Sequence, residues 1–300
     1  MNAIEIRNLS KKFGEKYAVD GLNMTVPVGS IYGFIGENGS GKSTTEKIIC
    51  GLLLKSGGEV RLFDKDHTID SVRENIGVLI EAPGCFANYT VWNNLMLQAA
   101  NLNVENPQDE VRRVLKIVRM EGAASNKYKN CSLGMKQRIG IAMALMGKPN
   151  LLVLDEPING LDADGMRIMR EILTDIVKDK KCTVLVSSHI LGELEKIATH
   201  YGIIRGGKMI KEMTALELAA SCRTFVKLKA KDMEKTKRLL LSKYNRVEEE
   251  NDYIRVYDAK NSQEIVSYLF ENDVVVSEIR TDKIGLEEYY IDLMKEKAVK

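Results

Sequence analysis

The chain contains the segment Gly36-Glu37-Asn38-Gly39-Ser40-Gly41-Lys42-Ser43, which matches the pattern G-x-x-x-x-G-K-[ST]. Glycines let successive backbone N–H groups converge on phosphate oxygens without side-chain clashes. We expect Lys42 to reach the outer phosphates, Ser43 to coordinate Mg²⁺, and the following helix to point its positive end at the anion. The residues predicted to contact a nucleotide here are Gly36, Asn38, Gly39, Ser40, Gly41, Lys42, Ser43 and Thr44.

The sequence on either side of this segment indicates an α/β unit. Residues 31–35 form a short apolar run, as in a buried strand, and residues 43–54 place apolar side chains at helical spacing. Before them, Leu22, Met24 and Val26 alternate with polar neighbours, which is typical of a half-buried strand. A strand, a glycine-rich loop and a helix in succession predict the start of an α/β domain.

Strand and helix patterns continue to alternate along the chain. Residues 90–147 are mostly helical in pattern, and strand-like runs return at 151–154 and 183–186, with helices expected at 165–178 and 191–198. This alternation predicts a largely parallel sheet.

The character of the sequence changes near residue 220. The charged tail, residues 223–300, reads as a small α+β domain without a catalytic motif. Its expected strands are 225–228, 253–257 and 274–279, and its expected helices are 233–243, 262–271 and 286–294. We therefore predict a nucleotide-binding domain at 1–218 and an accessory domain at 222–300.

Two carboxylates follow the apolar run at 151–154. Ligands bind at the carboxyl ends of strands in open α/β sheets, so Asp155 is predicted to hold Mg²⁺ and Glu156 to act as the general base that orients water. His189 follows the next apolar run, 183–186, and we expect it to contact the γ-phosphate and the attacking water. A strand that ends in acids is often only a solvated loop, and a single histidine is usually structural.

Composition limits the class of protein. The 300 residues are 44% hydrophobic and 29% charged, and the net charge of +2 gives no reason to expect nucleic-acid binding. The longest nearly apolar stretch, residues 139–147, is too short to span a bilayer. We expect the chain not to cross a membrane itself.

The segment Cys131-Ser132-Leu133-Gly134-Met135-Lys136-Gln137-Arg138 resembles the L-S-G-G-Q signature of the ATP-binding-cassette (ABC) ATPases. The similarity covers roughly residues 3–215. It implies a P-loop NTPase fold with a parallel-sheet core, an N-terminal antiparallel β subdomain and a helical subdomain. It also implies that Ser132 and Gly134 bind the γ-phosphate of ATP held by a second subunit. Taken alone, Ser132 reads as a simple helix cap.

Other positions match the family one by one. Phe13 resembles the aromatic that stacks on adenine, with Tyr17 as a substitute, although either could be a core residue. Asp162, in Asn159-Gly160-Leu161-Asp162, resembles the acid of the loop that crosses the dimer interface, and His189 resembles the switch histidine.

Two positions depart from the family. Leu133 stands where the signature usually has glycine. Glu81 stands where a glutamine usually contacts Mg²⁺ and the permease, and its carboxylate adds negative charge beside the triphosphate. These departures resemble the branch that serves bacitracin resistance and lantibiotic self-protection.

The resemblance implies an ATP-hydrolysing transporter subunit that uses ATP and Mg²⁺ and works as a head-to-tail homodimer. It would lie in the cytoplasm at the inner face of the cell membrane and energise a separate integral-membrane permease. The cargo would be an antimicrobial peptide or another amphipathic compound. The permease would dock on residues 81–101, including Tyr89 and Trp92, unless those aromatics belong to the core. The alternatives are a non-transport ABC ATPase acting on nucleic acid or ribosomes, and a small-molecule phosphoryl transferase.

Overall fold

The computed structural model describes residues 1–178, 182–221, 224–257, 259, 261–283 and 285–296. The chain divides into two units, Met1–Ala215 and Leu216–Lys300. The start of the predicted second domain, residue 222, lies outside the described residues.

The first unit is built on strands of two sheets. They are β1 (Asn2–Phe13), β2 (Lys16–Pro27), β3 (Ile31–Ile35), β4 (Gly57–Leu62), β5 (Lys65–Asp66), β6 (Ile76–Leu79), β7 (Leu151–Asp155), β8 (Thr183–Ser188), β9 (His200–Arg205) and β10 (Lys208–Thr214). An antiparallel sheet has the order β2-β1-β4-β5, and a mostly parallel sheet has the order β10-β9-β3-β8-β7-β6. The two sheets confirm the predicted antiparallel subdomain and parallel core.

The burial pattern of individual strands explains why their sequence pattern predicted them. Every residue of β3 is buried, and so are the apolar residues of β7, because a parallel sheet is covered on both faces. In β2, buried and exposed residues alternate from Leu22 to Val26, as expected for a sheet with one solvated face.

The helices of the first unit cover the parallel sheet and form a separate helical layer. They are α1 (Lys42–Ile49), α2 (Asp70–Arg73), α3 (Val91–Asn101), α4 (Pro107–Ile117), α5 (Leu133–Ala144), α6 (Ala163–Val177) and α7 (Leu191–Leu194), and α8 (Ala215–Ser221) follows at the division between the units. Among the described residues, no helix combines the length and the apolar character that a bilayer span requires.

Two predicted helices are too long. The helix expected at 43–54 ends at Ile49, because Gly51 takes a positive φ of 71° and turns the chain away. The helix expected at 191–198 ends at Leu194, where the Ile197 N–H bonds to the carbonyl only three residues back.

The second unit is the small α+β domain that was predicted from the tail. Its elements are β11 (Thr224–Ala230), α9 (Met233–Lys243), β12 (Val247–Glu250), β13 (Tyr253–Tyr257), α10 (Ser262–Glu271), β14 (Val276–Lys283) and α11 (Leu286–Glu296). The antiparallel sheet has the order β12-β13-β11-β14, which is the β-α-β-β-α-β arrangement with an added helix. Strand β12 was missed because Val-Glu-Glu-Glu has no alternation, and β14 begins later than expected.

Parallel strand order brings the predicted site together. The phosphate loop follows β3, Asp155 ends β7, and His189 follows β8. In the ladder, Asp155 lies opposite Ser187, and Ile35 lies opposite Ser188. The carboxyl ends of three neighbouring strands therefore meet at one edge of the sheet.

Candidate nucleotide site

The phosphate loop has a backbone that only glycine tolerates at one key position. Gly41 has a φ of 110°, and a Cβ there would lie 2.6 Å from the Ala18 carbonyl oxygen. Lys42 then begins α1, and its buried ammonium donates to the Gly36 and Glu37 carbonyls at 2.6 and 3.2 Å. These carbonyl contacts hold the lysine within the loop.

A cavity of about 190 Å³ lies over this loop. Its lining residues are Ala18, Asn38, Gly39, Gly41, Lys42, Ser43, Thr44, Asp155 and Glu156. Nearby, the buried Ser40 hydroxyl has no hydrogen-bond partner among the described residues. Unsatisfied buried polar atoms are costly, so this hydroxyl fits a ligand that supplies acceptor oxygens.

A hydroxyl and a carboxylate are positioned to share a cation. The Ser43 hydroxyl donates to Asp155 Oδ2 at 2.8 Å, and the buried Ser187 hydroxyl donates to Asp155 Oδ1 at 2.6 Å. Hard oxygen donors of this kind suit Mg²⁺, which is commonly held by one or two carboxylates together with phosphate oxygens. No group of three or more His, Cys, Asp or Glu side chains that could hold a metal was found within the described ranges.

Glu156 stands between a lysine and a histidine. Its Oε2 lies 2.8 Å from His189 Nδ1, and its Oε1 lies 3.9 Å from Lys42 Nζ. Its backbone has a φ of 50°, and its N–H donates to the carbonyl and the hydroxyl oxygens of Ser187, each at 3.2 Å. The structure thus brings the predicted base and the predicted histidine into direct contact.

Two residues at this site were not assigned from sequence. Ser187, at the end of β8, received no role, although its hydroxyl donates to Asp155 and accepts from the Glu156 N–H. Glu46, one turn after Lys42, is fully buried, and its carboxyl group lies close to Asp155 and Ser187. Burial raises the pKa of Glu46 well above its usual range, and the charge of Asp155 raises it further. The sequence feature that could have identified Glu46 is the position of an acidic residue on the apolar face of α1, beside Ile49.

The signature segment begins a helix. Ser132 is the N-cap of α5, and its hydroxyl accepts a bond from the Met135 N–H at 3.3 Å. Asp162 caps α6 in the same way and accepts from the Gly165 N–H at 2.8 Å. Neither Ser132 nor Gly134 is among the residues that line the cavity over the phosphate loop.

The remaining predicted residues lie on exposed surface. Phe13, at the end of β1, is 51% exposed and therefore does not belong to the core. Tyr17 is similarly exposed. The Glu81 carboxylate lies 2.7 Å from the Lys47 ammonium of α1.

Comparisons with known proteins agree with this geometry. The family model described as "ABC transporter" matches residues 19–159. A bacitracin transport ATP-binding protein of Bacillus licheniformis is 35% identical over 97% of both chains. A lantibiotic transport ATP-binding protein of Streptococcus pyogenes is 38% identical over 70% of this chain and 90% of that protein.

A solved structure is also similar. The structure of cbiO1 from Clostridium perfringens, part of an ABC transporter complex, covers 73% of this chain and 91% of its own at 25% identity, with a TM-score of 0.67. The full-length match to the Bacillus licheniformis relative includes the α+β tail as well as the nucleotide site. The chain therefore belongs to the ABC transporter family, as a subunit that binds and hydrolyses ATP.

Proposed function

We propose that this subunit energises a separate membrane permease that exports an antimicrobial peptide or another amphipathic compound, or protects the cell from one. The observation that carries this proposal is the end-to-end match to the bacitracin transport protein, which extends through the second unit. Such a subunit works in the cytoplasm, at the inner face of the cell membrane.

The assigned residues divide into those that hold the nucleotide and those that act on water. The loop residues from Gly36 to Thr44 bind the phosphates, and Phe13 stacks on adenine. Glu156 accepts the proton of the attacking water, and His189, whose Nδ1 lies 2.8 Å from Glu156, contacts the γ-phosphate and that water. Ser43 and Asp155, joined by Glu81, would hold Mg²⁺, which neutralises charge on the phosphates when bound.

We infer that two copies form one complete site, in a head-to-tail dimer. Ser132 and Gly134 do not line the phosphate-loop cavity of their own chain. A hydroxyl, a glycine backbone and a helix N-terminus together make an anion-binding end. In the proposed dimer this end, with Asp162 beside it, reaches the γ-phosphate held by the partner copy. ATP then holds the dimer together and hydrolysis releases it.

An exposed apolar surface supports a docking site for the permease. Between β6 and α3, the rings of Phe86 and Tyr89 lie 5.2 Å apart and are 55% and 49% exposed. Leu97 of α3 is also exposed. Exposed Leu52, in the turn after α1, and exposed Leu102, just after α3, line one groove together with Pro83 and Gly84 of the segment between β6 and α3. Trp92 is only partly exposed and packs near Arg112. Exposed apolar side chains grouped in this way often mark protein–protein contact sites.

The experiment is co-purification with a polytopic membrane protein encoded beside this chain. Tagged wild-type subunit should retain that protein in mild detergent, and Tyr89→Ser together with Phe86→Ser should release it without lowering the basal ATPase rate. Phe270→Ser is the matched control, because Phe270 is a 79% exposed aromatic on α10 of the second unit. Recovery of ribosomes or nucleic acid in place of a membrane protein would overturn the proposal.

A further inference from the structure

A lysine of the phosphate-loop helix forms an ion pair with the acid at position 81. Lys47 lies four residues after Ser43 on α1, so the two side chains share one face of the helix. Its Nζ is 2.7 Å from Glu81 Oε1. Glu81 sits just after β6 with a φ of 66°, a conformation that turns its side chain out of the strand direction.

Stability does not explain this pair. The Lys47 side chain is 36% exposed and that of Glu81 is 73% exposed, and ion pairs this open to water add little to folding free energy. The pair joins the helix that follows the phosphate loop to the loop that carries Glu81. The Lys47–Glu81 pair is therefore expected to affect the electrostatics of the nucleotide site more than the stability of the fold.

The charges around Lys47 come from two carboxylates. The hydrogen bond to Glu81 raises the pKa of Lys47 most, and the charges of Glu81 and Asp155 also raise it. On the same face of α1, the Ser43 hydroxyl donates to Asp155 Oδ2 at 2.8 Å. The negative charge of Asp155 would repel a triphosphate bound over Ser43. Without Lys47, the negative charge of Glu81 would repel it as well.

We propose that Lys47 is a positioning residue that holds Glu81 beside the phosphate loop and cancels its negative charge. In the absence of Mg²⁺, the nucleotide then meets a neutral pair in place of an added anion. This inference rests on the proposed placement of Glu81 near the triphosphate. The role of Lys47 in charge compensation therefore depends on the presence of an acid at position 81.

The test is a double-mutant cycle on nucleotide affinity, measured with a fluorescent ADP analogue in EDTA at low salt. Lys47→Ala leaves Glu81 uncompensated and should weaken binding. Glu81→Gln leaves Lys47 uncompensated and should tighten it. Each shift should be about fivefold if the uncompensated charge lies about 4 Å from one phosphate charge in water, and smaller at a longer distance. The double variant should return to within about twofold of the wild-type affinity.

Two controls separate this role from a structural one. Raising the salt concentration should shrink both single-variant shifts, because screening weakens interactions between exposed charges. Lys237→Ala breaks a comparable pair, with Glu249 at 2.8 Å and side chains 39% and 45% exposed, and should leave nucleotide affinity unchanged.

Three results would overturn the proposal. Single variants that shift affinity in the same direction would exclude charge compensation. A double variant as weak as Lys47→Ala would show that Lys47 acts independently of Glu81. Unchanged affinity in both single variants would place the pair outside the field of the nucleotide, which also refutes the placement of Glu81 near the triphosphate but leaves the ATPase assignment intact.

Discussion

Ser187→Ala removes one hydroxyl that anchors both acids of the site. The buried Ser187 hydroxyl donates to Asp155 Oδ1 at 2.6 Å and accepts from the Glu156 N–H at 3.2 Å. In the variant, Asp155 keeps the bond from Ser43 to Oδ2 and loses the bond to Oδ1, so its carboxylate is less firmly oriented. The Glu156 N–H keeps its bond to the Ser187 carbonyl, so the main chain should stay in place.

The size of the effect follows from the lost bond. A hydrogen bond to a charged group contributes about 1.5–3 kcal/mol. Since about 1.4 kcal/mol corresponds to a tenfold change in rate, turnover should fall about 10- to 100-fold if Asp155 must be fixed in the transition state. The free energy of unfolding should fall by about 2 kcal/mol for the same reason.

The assay is steady-state ATP turnover as a function of Mg²⁺ concentration, paired with urea unfolding. Ser30→Ala is the control. Ser30 is also buried and also makes one short side-chain bond, to the Pro27 carbonyl at 2.6 Å, but it precedes β3 at the opposite edge of the sheet. Both variants should lose stability, and only Ser187→Ala should lose turnover and need more Mg²⁺. Equal turnover in the two variants would refute the anchoring role.

Three further substitutions test other parts of the site. Glu156→Gln should keep ATP affinity, lower turnover by about 10²- to 10⁴-fold and elute as a dimer in ATP; a monomer under those conditions would contradict the shared site. Ser132→Ala should lower the free energy of unfolding by about 1 kcal/mol through loss of the bond to the Met135 N–H. It should also lower the ATPase rate at every protein concentration; an unaltered rate would remove Ser132 from the partner's site. Glu46 has a raised pKa in the folded state, so its contribution to stability falls as pH rises above 4.5, the usual pKa of a glutamate. Glu46→Gln should cancel that fall, so its stability relative to the wild type should increase from pH 5 to 8; parallel stability curves over that range would contradict this.

The sequence predicted those elements in which local pattern and burial agree. The apolar run of β3 was read at its observed limits, because every residue in it is buried. In the second unit, α9, β13 and α10 also match their expected ranges. Helix ends were less accurate. The α1 pattern continues past Ile49 through exposed Leu52 and Leu54, and only the turn at Gly51 ends the helix.

Contacts that depend on strand order could not be read from the sequence. Ser187 reaches Asp155 because β7 and β8 are neighbours and their register sets these two residues opposite each other. The two positions are far apart along the chain, and a serine near a strand end has no distinctive pattern. The position of Glu46 gave a signal in the sequence, but its contact could not be read there: burial raises its pKa most, and the Asp155 carboxylate that raises it further belongs to β7 and not to its own helix.

Leu133, which replaces the usual glycine of the signature segment, packs against Gly160 in the same chain. Its side chain is half exposed, and its Cδ2 lies 3.0 Å from where a Cβ on Gly160 would stand. Gly160 also has a φ of 72°, so any other residue there would combine backbone strain with crowding against Leu133. The leucine at position 133 therefore requires a residue as small as Gly160 in the loop before Asp162. That contact joins the start of α5 to the loop before α6. It therefore holds the helix caps Ser132 and Asp162, which we propose to reach the partner's nucleotide, close together within a single chain.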